Sequence, residues 1–388
     1  MIPIAGGAGR HALAALPPLS LYVHVPWCVR KCPYCDFNSH EAKGGIPEDT
    51  YVEALIADLE SALPQVWGRP VVSVFFGGGT PSLLSGAAVD RLLAAFRARL
   101  PLAPDAEITL EANPGTAEAE KFAAFREAGV NRLSIGIQSF DDAKLAALGR
   151  IHAADEARRA IDFAQRHFER INLDLMYALP RQTLAEAQRD IQAAIAFGTT
   201  HVSAYHLTLE PNTAFHHSPP PVPDDDVAAD MQQAVEEALA GAGFEHYETS
   251  AFAKPGARCR HNLNYWTFGD YLGIGAGAHA KISFPDRIVR ESRRRHPSEY
   301  LHAADRRLEE REVTSAELPF EFMMNALRLT EGVETRLFEE RTGISLAAVQ
   351  APLLAAQREG LLSVDARRLA PTAKGRRFLN RLLGFFLA

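Results

Sequence analysis

Six short runs of mostly apolar, often β-branched residues punctuate the first half of the chain: LYVHV (21–25), VVSVFF (71–76), EITLEA (107–112), RLSIGI (132–137), INLDLMY (171–177) and HVSAYHL (201–207). Turn-forming and polar residues bound them, the signature of buried strands. Between them, TYVEALIADLESAL, AAVDRLLAAFRARL, AEKFAAFREAG and LAEAQRDIQAAIAFG repeat apolar residues at three and four positions, the period of a helix with one buried face. Strand and helix in regular alternation predict parallel strands joined by right-handed crossovers. Six units are fewer than the eight that close a full barrel. The expected fold class is therefore α/β, either a partial (β/α)6 TIM-like barrel or a doubly wound sheet, over residues 20–245.

The pattern then breaks. HHSPPPVPDDD (216–226) is a proline-rich turn whose aspartates can cap the helix VAADMQQAVEEALAGAG. Residues 246–300, which contain HNLNYW (261–266) and the glycine-rich YLGIGAGAHA, read as a connecting segment. From residue 301 to 388, helical patterns end in a short hairpin and a last helix, the order of a small winged-helix-like α+β module. Residues 1–19 carry Pro3, Pro17 and Pro18 and no charged start followed by a long apolar run, so they read as a flexible leader, not a signal peptide.

Composition narrows the function classes. Of 388 residues, 47% are hydrophobic and 23% charged, ordinary for a globular protein with a sizeable core. A net charge of −7 disfavours a non-specific nucleic-acid binder and makes the C-terminal module a packing or interaction unit. One basic run, RIVRESRRRH (287–296), reads as a solvated loop, or else as a docking patch for an acidic or propionate-bearing partner. Four cysteines make no disulfide scaffold and suit a reducing, cytoplasmic compartment. No apolar run is long enough to span a membrane.

Three of the four cysteines, Cys28, Cys32 and Cys35, fall within VPWCVRKCPYCDF, directly after the first strand. Closely spaced thiolates bind soft metals. Zinc needs a fourth ligand, which His24 or His40 could supply. A [4Fe–4S] cube takes four cysteines; on three, one iron stays open to a chelating ligand. GGGTPS (77–82) ends the second strand, where backbone without Cβ can approach a ligand closely. Glu111, Gln138, Arg150 and Asp174 fall at or near successive strand ends, which predicts a shared polar site on one rim.

CxxxCxxC after the first strand, with Tyr34 before the last cysteine and GGGTPS after the second strand, resembles the radical S-adenosylmethionine (SAM) superfamily. YVHVPWCVRKCPYCDF, FFGGGTPS, EANPG, GIQSF, INLDLMYALPRQT and RCRHNLNYW together resemble the coproporphyrinogen III dehydrogenase-like group within it. That resemblance spans about residues 20–380. It implies a [4Fe–4S] cluster on Cys28, Cys32 and Cys35. It also implies SAM at Tyr22, Gly78 and Glu111, and a second SAM region at Tyr34, Gly79, Thr80, Gln138, Arg150 and Asp174. The group has two branches, an oxygen-independent coproporphyrinogen III dehydrogenase and a haem chaperone. The dehydrogenase has a further cysteine two positions after the last cluster cysteine, where this chain has Phe37, and a longer N-terminal extension. The missing cysteine puts the second SAM in question. HNLNYW fits the signature of the chaperone branch. The resemblance thus implies haem as ligand and haem-acceptor proteins as partners. It leaves peripheral membrane association, homodimerisation and SAM cleavage open. His261, in the motif, is the first candidate for the haem ligand and Cys259 the second; His279 and His206 are others, and Tyr265 and Trp266 could wall a porphyrin.

Overall fold

The structure, a computed structural model, describes residues 13–115 and 119–387. The first twelve residues of the expected leader lie outside the described residues. All six strands of the expected domain form: β1 Leu19–Val25, β2 Val71–Gly78, β3 Leu102–Ala112, β4 Arg132–Gln138, β5 Ile171–Tyr177 and β6 His201–His206. Each pairs in parallel with the next. Helices α1 Glu48–Val66, α2 Gly86–Arg99, α3 Phe122–Ala128, α4 Ala154–His167 and α5 Leu184–Ala196 make the crossovers. The proline-rich turn leads into α6 Asp225–Gly241, capped by Asp224 accepting from Val227 N at 2.9 Å. Consecutive spatial order from β1 to β6 is that of a barrel; a doubly wound sheet reverses direction partway. One face of each strand and the apolar stripe of each helix share a core that includes Val74, Phe76, Leu110, Leu133, Ile135 and Leu173 with Leu55, Leu59, Leu93, Phe96, Ile161 and Ile191. Each such side chain contributes roughly 1.5–3 kcal/mol on full burial.

The sheet does not stop at six strands. β7 Glu245–Glu248, β8 Ala251–Ala253, β9 Asp270–Ile274, β10 His279–Ser283, β11 Ile288–Arg293 and β12 Arg307–Glu312 extend it to twelve, in the order β12-β11-β10-β9-β1-β2-β3-β4-β5-β6-β8-β7. β9 runs parallel to β1; the remaining added pairings are antiparallel. The two ends of this order are not paired to each other, so the barrel stays open. Residues 246–300, read as a connecting segment, thus supply most of this extension. The basic run is likewise not a solvated loop. It forms β11, in which Arg293 is buried against Asp58 (2.9 Å) and Glu291 (2.8 Å) and Arg290 pairs with Glu321. Its carboxylate partners include residues 235 and 31 positions away, which local sequence does not reveal.

HNLNYW lies on α7 Arg260–Trp266. Beyond β12, helices α8 Leu318–Ala326, α9 Leu337–Thr342 and α10 Gln350–Arg358 pack with a three-stranded antiparallel sheet ordered Val333–Glu334, Arg368–Pro371, Leu362–Val364. This is the expected small α+β module. Its core joins Phe322, Met323, Phe338, Leu353 and Leu369 to Phe268 and Ile288 of the preceding segment. Among the described residues, no helix is long and apolar enough to cross a membrane.

Candidate functional site

The inner face of the sheet defines the site. Within otherwise buried strands, one or two inward positions keep accessible surface: Tyr22 on β1, Phe75 on β2, Glu111 on β3, Gly136 and Gln138 on β4, and Asp174 on β5. Strand register sets these side by side, Tyr22 opposite Phe75 and Gly136 opposite Asp174. On β6, Tyr205 keeps 43% of its surface although it belongs to the same sheet. Accessible polar groups in a row across a buried sheet outline a concave, wet interior.

The loop after β1 closes one end. Trp27 and Cys28 bridge in parallel to His40 and Glu41. His40 N donates to Pro26 O (2.7 Å), Ala42 N to Cys28 O (2.9 Å) and Cys35 N to Cys32 O (3.1 Å). Asn38 anchors the loop to two segments, donating to Ala276 O (3.0 Å) in the glycine-rich turn after β9 and to Arg295 O (2.9 Å) just past β11. Trp27 packs edge-on against Tyr51, whose hydroxyl donates to His24 O at 2.7 Å. The loop is thereby ordered before any ligand arrives, which reduces the entropy cost of binding.

Cys28, Cys32 and Cys35 are free and half-buried. Burial raises the Cys28 thiol pKa, partly offset by the Thr80 hydroxyl, and Cys35 and Cys32 raise it further. Burial raises Cys35 as well, with Cys32 adding to the effect. Cys28 and Cys35 therefore resist deprotonation until a cation compensates them. Among the described residues, no three His, Cys, Asp or Glu side chains gather tightly enough for one metal ion. His24 is committed, its Nε2 to Asn38 O (2.8 Å) and its Nδ1 to the Tyr22 hydroxyl (3.2 Å). His40 keeps a buried Nε2 without a hydrogen-bond partner, but no trio of donors gathers with it among the described residues, so a single zinc ion lacks its donor set. A cube takes one thiolate per corner and suits a looser trio, so the residues fit the iron–sulfur group.

Facing the thiols is the turn after β2. Gly78 adopts φ +116°, and a Cβ there would stand 2.7 Å from the His24 ring. A Cβ on Gly79 would stand 2.5 Å from the Trp27 carbonyl oxygen. Side chains are excluded where the cysteine loop and the glycine turn meet. Thr80, buried, accepts from Asn113 Nδ2 at 3.1 Å. Arg150 Nη2 donates to Asn113 Oδ1 (2.7 Å) and Gly136 O (2.9 Å), and Nη1 lies 3.5 Å from Cys32 Sγ. Burial holds the Tyr34 hydroxyl protonated beside Arg150 and Cys32. Gln138 sits at a register shift with φ +69°, strained backbone of the kind that re-aims a side chain at functional sites.

Deeper in, Glu111 accepts from Gly78 N (3.3 Å). Burial and then the Asp174 carboxylate push its pKa up to about 8. Asp174 is held by Ser134 Oγ (2.9 Å) and Asn172 Nδ2 (2.9 Å). Burial and then Glu111 also raise Tyr22.

His261 and Cys259 lie at the far end of the strands. Ser73, five residues before Gly78, lies roughly 16 Å from it along β2. Ser73 Oγ donates to Ser20 Oγ (2.7 Å) and lies 3.0 Å from His261 Nδ1. In this hydrogen-bond network Nδ1 is assigned the proton, which leaves Nε2 a free lone pair. The ring is buried against Phe75, and burial lowers its pKa to about 4. Cys259 Sγ donates to Glu107 at 3.3 Å, and burial pushes this thiol up to about 12. His279 begins β10 and His206 ends β6, its ring 5.5 Å from Tyr177. The sequence reading passed over Asn113, the link between Thr80 and Arg150, and Tyr205. A signal existed: both fall inside runs already singled out, EANPG and HVSAYHL.

An open parallel barrel with a three-cysteine loop after its first strand, facing a glycine turn after its second, defines a radical SAM protein. Residues 22–194 match the radical SAM superfamily and residues 313–378 the HemN C-terminal domain. Over 379 residues the chain is 51% identical to the heme chaperone HemW of Escherichia coli (strain K12), covering 97% of this chain and 100% of that one. It is 48% identical over 378 residues to the heme chaperone HemW of Haemophilus influenzae, covering 96% and 98%. Coproporphyrinogen III oxidase (HemN) from Escherichia coli, a radical SAM enzyme, shares the fold, with a TM-score of 0.80 at 23% identity over 96% of this chain and 90% of that one. The chain belongs to the HemW family of radical SAM proteins.

Proposed function

We propose that this protein is a haem chaperone of the radical SAM type. In this reading Cys28, Cys32 and Cys35 hold a [4Fe–4S] cluster, Tyr22, Gly78 and Glu111 contact the SAM on it, and haem is passed to acceptor proteins in the cytoplasm. The observation that carries it is full-length identity of 51% to a heme chaperone, end to end with no missing segment of that protein. When bound, such a cluster supplies one electron for reductive cleavage of SAM. The chain's own residues do the rest. Gly78 and Gly79 let backbone approach the ligand. Glu111, protonated in the free protein, gives up its proton as the cationic cofactor binds. Tyr34 and Arg150 stand beside the Cys32 sulfur. Gly79, Thr80, Gln138, Arg150 and Asp174 line the same interior, where a second SAM could lie. Phe37, where the dehydrogenase has its extra cysteine, is 60% exposed and offers no ligand.

Of the haem candidates, His261 is favoured over Cys259. Its Nδ1–H is held by an acceptor and its Nε2 is free, the arrangement of a metal-bound imidazole; Cys259 is locked as a neutral donor.

Anaerobic reconstitution with iron and sulfide tests the reading. The protein should turn brown with about four irons per chain, bind haem with a Soret band that survives gel filtration, and leave coproporphyrinogen III intact. Decarboxylation of that substrate would convert the reading to the dehydrogenase. Cys28→Ala should abolish the cluster absorbance. His261→Ala should shift and weaken the Soret band while cluster absorbance is unchanged; an unaltered haem spectrum removes His261 as ligand.

A further inference from the structure

A cavity of about 700 Å³ opens at the N-terminal end of the sheet, away from the cysteine loop. Three segments build it: the approach to β1, the α1–β2 turn and α9 of the C-terminal module. The volume is that of a site for one mid-sized organic ligand, and junctions between chain units are where such sites form. Its wall is largely apolar, with Ala15, Leu16, Pro18 and Val72, and three charged residues interrupt it, Arg69, Arg341 and Glu340, for a net positive lining.

Neither guanidinium is fully partnered. The Arg69 side chain is 10% exposed. Its Nη2 donates to Pro17 O and Asp270 Oδ2, both at 2.7 Å, and its buried Nη1 has no partner. The Arg341 guanidinium makes no hydrogen bond among the described residues, and its Nε is buried. Burial holds its pKa below the usual range, and Glu340 and Asp270 offset this only in part. Asp270 is already committed to Lys281 (2.8 Å) and Ser283 as well as Arg69. Three cations thus crowd one carboxylate. Buried donors without acceptors call for an anion, and paired arginines fit carboxylates through two-point hydrogen bonds.

We propose that this cavity holds a porphyrin by its propionates, which sit on Arg69 and Arg341 while the ring lies against Ala15, Leu16, Pro18 and Val72. The inference rests on the reading of the protein as a haem carrier. Among the described residues that line the cavity there is no His, Cys, Met or Tyr. Iron therefore gains no protein bond there, and the site is distinct from His261. Holding the ligand by its carboxylates alone leaves the metal free to be captured by an acceptor.

The test uses the reconstituted full-length protein carrying His261→Ala, which removes the iron ligand proposed above, with three probes: ferric haem, metal-free protoporphyrin IX and protoporphyrin IX dimethyl ester. Both acids should bind with similar affinity and the ester at least roughly tenfold more weakly. Arg341→Gln, which breaks no hydrogen bond of the fold, should weaken both acids by roughly tenfold and leave the ester unchanged. Ala15→Trp, at an exposed loop position, should block all three. Cluster absorbance and unfolding midpoint should match the His261→Ala parent in both variants. Ester binding as tight as acid, or haem binding indifferent to both substitutions, overturns the site and leaves the haem-carrier reading standing. Binding of laurate that depends on Arg341, with none of porphyrin, overturns the site in favour of a fatty acid. Failure of wild type to bind haem at all removes the carrier reading and this site with it.

Discussion

Glu111 shows how one position can carry a pH dependence. Burial beside Asp174 raises its pKa to about 8, so at neutral pH it is mostly protonated in the free protein. A cationic ligand in the barrel favours the carboxylate and expels the proton. Binding of SAM should therefore release protons near pH 7, and affinity should rise with pH up to about 8 and then level off. Calorimetry in buffers of different ionisation enthalpy reads the released proton directly. Glu111→Gln should flatten the pH profile and weaken binding by roughly tenfold. An affinity that does not change from pH 6.5 to 8.5 would sink this assignment. Burial raises the Asp174 carboxyl as well, and Ser134 and Asn172 oppose this by donating to it.

At the scale of elements, the junction between the cysteine loop and the glycine turn is the tightest part of the site. Gly79→Ala drives a Cβ into the Trp27 carbonyl, next to Cys28. The loop has to yield, at a cost of about 1–3 kcal/mol. Iron content should fall while far-UV dichroism stays native. Gly241→Ala, in a helix with nothing near its added Cβ, should be neutral or slightly stabilising. Equal iron loading in both variants would show that the junction does not govern the cluster. The six barrel strands were legible because their apolar runs are long and their period unambiguous. The added strands were not. β7 and β8 span four and three residues, too short for a period to register. β12, RLEERE, shows no alternation and is charged on both faces because it is an edge strand, protected against pairing with another chain. Of the site, the cysteines, Gly78, Glu111 and Asp174 could be read from spacing and strand ends. Tyr205 depends on which way its strand faces, and Asn113 on the course of the chain just past β3, and both are fixed only when the sheet curls.

Across the whole molecule, Phe268 ties three parts together. It follows the HNLNYW helix in a left-handed conformation, φ +57°, and belongs to the second core. Lys281 of β10 donates to its carbonyl (3.1 Å) and lies over its ring (4.1 Å). Phe322 of the C-terminal module meets it edge-on, with ring centroids 5.7 Å apart, and meets Phe338 at 5.3 Å on its other side. The module is therefore packed on the sheet extension through shared aromatic rings, and β9 carries that extension into the barrel through its pairing with β1. Removing the central ring should be felt at both ends of this chain of contacts. Phe322→Ala is expected to destabilise the protein by about 3–5 kcal/mol, the transfer and cavity cost of a fully buried phenylalanine. If the two cores unfold as one cooperative unit, the denaturant midpoint read from far-UV dichroism and the one read from cluster absorbance should fall together. A fall in the first with the cluster signal unmoved would mean that the module melts alone, and that the barrel end carrying the cysteines does not depend on it.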